Sequence, residues 1–137
     1  NPSACSSVQA VTVKESAKDG INTTSPTARF HVNGSVAGKL TIADSFPYTV
    51  GDDDYIILVE GTGNPRRINL PAVSGQEGRI LIIKDATGNA SSNNIELDPN
   101  ASEQIDGTSD KLINTNRTSL TIVCDSGQWL IISSYTG

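Results

Sequence analysis

Methionine is absent from all 137 residues, position 1 included, and the chain has one His, one Trp and two Cys. Each scarcity removes a class of chemistry. With His31 as the lone histidine, two-His zinc sites are excluded, as are Ser-His or Cys-His pairs beyond this one residue. Cys5 and Cys124 form neither a disulfide framework nor a metal motif. They leave two alternatives: a bridge in an oxidising compartment, or a half-buried Cys124 with a loose Cys5. No apolar stretch nears the roughly 20 residues that span a bilayer, and no basic region followed by an apolar segment opens the chain, so no membrane insertion is expected. The missing Met at position 1 gives the expectation of a piece processed or excised from something longer. Basic residues are few as well: 10 Lys and Arg stand against 15 Asp and Glu, for a net charge of -5 and a pI near 4.6. Nucleic-acid binding needs clustered cations to neutralise phosphates, and only Arg66-Arg67 is a local basic pair, so no nucleic-acid partner is expected.

What the chain does have is Ser, Thr, Asn and Gly in quantity, with 36% hydrophobic and 18% charged residues. This composition suits a small-residue β structure. At 14.4 kDa the chain is long enough for one domain with its own core, and its lean apolar content points to further burial between subunits. Helical periodicity is nearly absent, the strongest candidate being residues 8 to 18, "VQAVTVKESAK". "ARFHVNG" (28 to 34), ending in an Asn-Gly turn signal, and "KLTIAD" (39 to 44) suggest a hairpin. From residue 47 onward short apolar runs alternate regularly with Gly, Asn, Asp, Pro and Ser, the spacing of antiparallel strands in a barrel or sandwich. "TIVCDSGQWLII" reads as the clearest hairpin, turning at Asp125-Ser126-Gly127. Ile68 with Leu70, and Leu120 with Ile122, share a face and should point inward. "YIILV" and "ILII" are continuous instead. They predict strands covered on both faces, within a barrel, by a neighbouring subunit or by a loop.

Candidate chemistry is thin. Asp52-Asp53-Asp54 lacks the alternating ligands, central Gly and final Glu of an EF-hand loop and reads as a solvated turn, so no metal is expected. Pairs such as Glu96 and Asp98 sit at i, i+2 on one strand face, an arrangement of two carboxylates that can work on a glycosidic bond, although acidic strand ends are common in an acidic protein. Arg66 and Arg67 point to opposite faces if they lie on a strand. One of them then faces inward or toward a subunit boundary; a guanidinium offers a bidentate partner for an acidic sugar, against the alternative of a solubilising charge or an inter-subunit ion pair. Trp129 follows a turn and is either core or a stacking surface for a sugar ring. "GTGNPRR" has too few glycines and no following helix for a phosphate loop, and no cofactor is expected.

Residues 20 to 36, "GINTTSPTARFHVNGSV", resemble the "GIGTTSPTAKLHVNGSV" segment of phage tail fibres, tail spikes and related bacterial surface fibres, departing at Asn22 where Gly is usual. The remainder, with its acidic turn before a Tyr-containing strand, "INLP", "GRILIIKD", "IDG" and a final "DSGQWLII" hairpin, resembles a terminal module of phage tail fibres. The resemblance implies an intertwined homotrimer. Residues 1–46 would be a shaft-like β segment and 47–137 a β-barrel or sandwich tip, carried on the virion and contacting a polysaccharide of the host cell surface without catalysis. The motifs are scaffold motifs, which leaves recognition to loops and subunit clefts. The candidate contacts are Arg66 and Arg67 for an acidic glycan, Asn89 and Asn93 in the longest polar loop, and Trp129 for stacking. Rival expectations are a monomeric carbohydrate-binding β-sandwich, which six aromatics in the chain disfavour, a glycan-degrading spike domain, and a purely structural fibre cap.

Overall fold

Runs of Ile, Val, Leu and Thr broken by Gly, Pro, Asn and Asp fold as strands throughout. In the computed structural model, which describes residues 11–13 and 18–137, there are twelve strands and no helix among the described residues. The chain divides into two units, Asn1–Ala37 and Gly38–Gly137.

In the first unit β1 (Val11–Val13), β2 (Asp19–Ile21) and β3 (Phe30–Val32) form a sheet in that order, β1 antiparallel to β2 and β2 parallel to β3. The described part of the helix candidate at 8 to 18 is therefore extended. Nor does the hairpin expected of 28 to 34 with 39 to 44 form, because β3 pairs with β2 instead. Asn22 takes φ 56°, a left-handed conformation that Gly adopts freely and Asn tolerates, so its replacement of Gly preserves the turn. The Asn22 Nδ2 amide donates to Asn33 O at 3.1 Å and the Asn33 Nδ2 amide to Asn22 O at 3.2 Å. Cys5 lies outside the described residues.

The second unit contains β4 (Leu40–Ala43), β5 (Tyr48–Thr49), β6 (Ile56–Val59), β7 (Arg66–Asn69), β8 (Ile80–Asp85), β9 (Ile95–Asp98), β10 (Lys111–Ile113), β11 (Ser119–Cys124) and β12 (Trp129–Tyr135). From β4 to β9 the chain alternates between two sheets, adding one strand to each in turn. The five-stranded sheet has the order β12-β11-β8-β6-β4 and the four-stranded sheet β10-β9-β7-β5. Consecutive strands within each coil are consequently parallel: β4, β6 and β8 in one sheet, β5, β7 and β9 in the other. Antiparallel pairing, expected throughout, is confined in this unit to β8–β11, β11–β12 and β9–β10. The sheets are not closed into a barrel. Two-residue periodicity marks which face a side chain takes but not which strand lies beside it, so coiling and hairpins look alike in sequence. β4, upstream of residue 47, pairs along its whole length with β6 and belongs to this unit.

One apolar core lies between the sheets. Ile57 and Val59, Leu81 and Ile83, and Ile122 contribute from the five-stranded sheet; Ile68, Ile95 and Leu97 come from the other, all with 0% exposure. Leu70 and Leu120 face inward as the alternation predicts. Each such aliphatic side chain contributes about 1.5–3 kcal/mol by leaving water. The β11–β12 hairpin forms where expected: Asp125 Oδ1 accepts hydrogen bonds from Gly127 N and Gln128 N, both at 2.7 Å. Cys124 is a free buried thiol, held protonated by burial and neighbouring carboxylates, which push its pKa up.

Candidate functional site

The five proposed contact residues separate sharply once folded. Arg66 and Arg67 do point to opposite faces of β7. Arg66 points inward and is fully buried, 3.5 Å from the equally buried Asp85 at the end of β8. Its Nε and NH2 donate to Asn93 O at 3.0 and 2.6 Å, and NH1 donates to Thr87 Oγ1 at 3.2 Å. Burial pushes the Asp85 carboxyl up, but hydrogen bonds from Arg117 N, Ala90 N, Thr87 Oγ1 and Gly88 N outweigh it and hold the pKa below the ordinary value. Asn89 Oδ1 lies 2.7 Å from Thr87 Oγ1 in the same loop. Arg66, Asn89 and Asn93 are thus brought together as a node that pins residues 85–94, with Arg66 buried and both asparagines partly exposed. Trp129 is also removed from the surface: it is 0% exposed and its Nε1 donates to Pro71 O at 3.3 Å, leaving no face for a sugar.

The acidic turn needs a similar correction. Asp52 and Asp53 are exposed, but Asp54 is 5% exposed and accepts from Thr41 Oγ1 and Tyr48 OH, both at 2.6 Å, and from Gly51 N at 2.8 Å. Burial raises the Asp54 pKa, yet these bonds and Lys39 at 3.5 Å bring it below the ordinary value. Burial and the Asp54 partnership push the Tyr48 phenol up to about 12. Among the described residues no group of three or more His, Cys, Asp and Glu converges as it would around a metal.

Of the five, Arg67 lines two adjoining recesses. Because β5, β7 and β9 run parallel in register, Thr49, Asn69 and Asp98 stand in one row across the outer face of the four-stranded sheet, with Arg67 and Glu96 in the row beside them. The Asn69 Nδ2 amide donates to Thr49 Oγ1 at 3.3 Å. Arg67 NH2 lies 3.1 Å from Glu96 Oε1 and NH1 lies 3.6 Å from Asp98 Oδ2, so one guanidinium spans both carboxylates. The chain leaves each strand at Val50, Pro71 and Pro99, and the resulting walls enclose a groove of about 520 Å³, within the roughly 300–1,000 Å³ usual for ligand sites. A second recess of about 390 Å³, lined by Phe46, Pro47, Gly63, Asn64 and Pro65, shares Pro47 and Arg67 with it. A Cβ at Gly63 would come within 2.8 Å of the Phe46 ring, so the glycine lets the turn close on that aromatic. Asn69 and Phe46 escaped sequence reading as site residues, and Asp98 entered it only as a carboxylate partner of Glu96. Alternation marks 67, 69, 96 and 98 as outward positions, but nothing in it says that β5, β7 and β9 are parallel neighbours.

The opposite outer face is unlike this one. Register sets Leu40, Ile56 and Ile82 in one row of the five-stranded sheet, Ile42 and Leu58 in the next, and Ile80, Val123 and Leu130 in a third. Leu40 is 55% exposed, Ile42 50% and Ile132 56%. Ile132 is the extra residue of a bulge in β12, where Ile131 pairs with Ile122 and Ser133 with Thr121. In "YIILV" and "ILII" the inward Ile57, Val59, Leu81 and Ile83 are fully buried, while the outward Ile56, Leu58, Ile80 and Ile82 are only partly covered by the described residues. Matched against models of known protein families and against curated proteins, the chain has no match to either.

Proposed function

We propose that this chain is the distal, receptor-binding domain of a phage tail fibre. It acts as a homotrimer on the virion, outside the cell, and adsorbs to a polysaccharide of the host surface. The observation that carries the reading is the aliphatic outer face of the five-stranded sheet. Monomeric proteins seldom leave so contiguous an apolar surface to water, whereas subunit interfaces need one. A second copy of the same chain is the partner the fibre resemblance supplies, and a closed threefold arrangement covers this face in every copy. The polar outer face stays free for recognition, and three copies multiply weak contacts into useful avidity. Catalysis is not part of the proposal: Arg67 spans Glu96 and Asp98, placing a cation where a glycosidase keeps its substrate's scissile oxygen.

Light scattering tests the assembly. The expected mass is three times 14.4 kDa at micromolar concentration. A stable monomer overturns the trimer for this chain and favours a single-copy glycan-binding module.

A further inference from the structure

The polar face allows a choice of ligand class. We propose that the two linked recesses on the outer face of the four-stranded sheet bind an uncharged, hydroxyl-rich glycan chain, with Asn69 and Asp98 gripping adjacent hydroxyls. The inference rests on the receptor-binding reading and gives it a site and a chemistry.

The charge arrangement comes first. Arg67 is the only cation lining either recess and is already committed to Glu96 and Asp98. One guanidinium against two carboxylates leaves the cluster with an excess negative charge, on a chain whose net charge is -5. A uronate or sialate entering the groove would have to compete with two built-in carboxylates for Arg67 and would meet their repulsion. A neutral sugar meets neither obstacle. Hydroxyl pairs need a donor and an acceptor side by side, and the row supplies them: Thr49 hydroxyl, Asn69 carboxamide and Asp98 carboxylate, on three parallel strands in register. Parallel strands lie about 4.8 Å apart, so the row is a ladder of polar groups repeating on the scale of a sugar ring. The Arg67 Nε is buried without a partner, a donor orphaned beneath the groove.

The apolar requirement is met next door. Sugar rings present C–H faces that pack on aromatic and proline rings. Phe46 is half-buried, fixed against Gly63, and flanked by exposed Pro47 and Pro65. The polar ladder and the apolar shelf share Arg67 and Pro47, so one extended oligosaccharide can lie across both. Arg67 serves here as a positioning residue that holds Glu96 and Asp98 in place.

The test is binding of the intact protein to a panel of neutral and uronic-acid-containing bacterial polysaccharides, comparing wild type with Asn69→Ala, Asp98→Ala and, as an exposed control outside both recesses, Asp52→Ala. The expected result is wild-type binding to a neutral member that changes little with salt. Asn69→Ala and Asp98→Ala then weaken it roughly tenfold or more each while molar mass and circular dichroism stay unchanged, and Asp52→Ala binds as wild type. Unaltered binding by both groove variants overturns this site and leaves the receptor reading standing. Binding only to acidic members, falling steeply with salt, overturns the ligand class. Binding to no member overturns the inference and the receptor reading together, and a trimeric mass would then favour a structural fibre cap.

Discussion

The second unit has two outer faces built on the same alternation and different in composition. On the five-stranded sheet the outward positions include Leu40, Ile42, Ile56, Leu58, Ile80 and Ile82, with Lys84 and Thr121 continuing their rows; on the four-stranded sheet they include Thr49, Arg67, Asn69, Glu96 and Asp98, with Leu112 beside Glu96. Both sheets bury their inward residues in one core, so core packing does not explain the difference. An aliphatic row on the outside gains only cross-strand contacts in the isolated chain and leaves apolar area in water; covering it with another surface adds the rest. Polar side chains paired across strands, by contrast, are satisfied as they stand. The lesson is that the composition of an outward face becomes visible only once the neighbouring strands are known. The faces also differ at their margins. Lys84, in register with Leu58, holds its ammonium 5.2 Å from the centre of the Tyr135 ring, a polar border to the apolar patch.

The comparison breaks first at what holds the two sheets together. Arg66→Ala leaves Asp85 as a buried, unpaired charge and should cost about 3–5 kcal/mol in denaturant unfolding, taking both faces with it. Acid reads the same pair. Because the Asp85 and Asp54 pKa values are lowered in the folded chain, their stabilisation is present above the ordinary carboxyl value and is lost as the pH falls below about 4. Asp85→Asn should flatten this acid limb while lowering the melting temperature at neutral pH. Parallel limbs for the two proteins would remove Asp85 as the responsible group.

A smaller effect on folding but a decisive one on assembly is expected from the apolar face. Ile82→Glu places a charge in the middle of the proposed interface, where desolvation costs several kcal/mol, and the mass should fall toward 14.4 kDa. The matched change on the polar face, Asn69→Glu, should leave the mass unchanged. Equal masses for both variants would erase the functional contrast between the faces. The smallest effect belongs to Arg67→Ala. Its side chain is 43% exposed and its ion pairs are open to solvent, so unfolding should shift by about 0.2–1 kcal/mol. A loss of several kcal/mol would show that Arg67 supports the fold as Arg66 does.

Some of this was legible in the residues. Alternation put Ile68, Leu70, Leu120 and Ile122 inside, and Asp125-Ser126-Gly127 marked its turn, because both signals are local. Arg66 beside Arg67 was readable as one inward and one outward guanidinium. That the inward one meets Asp85, 19 residues away, was not. Trp129 shows the limit from the other side: a lone aromatic after a turn carries no mark of whether the chain around it will close.

By itself the sequence determined that the protein is built of strands, which side chains share a face, where several turns fall, and which metal and nucleophile chemistries lack their residues. These properties follow from backbone geometry and residue chemistry within a few positions. Tertiary structure alone decided that the strands coil in parallel between two sheets, that Thr49, Asn69 and Asp98 come into one row, and that Arg66 and Trp129 are lost to the interior. The reason is that a strand's pattern encodes the side it turns to the core, while its neighbour is chosen by connections spanning tens of residues and by packing that no local stretch contains.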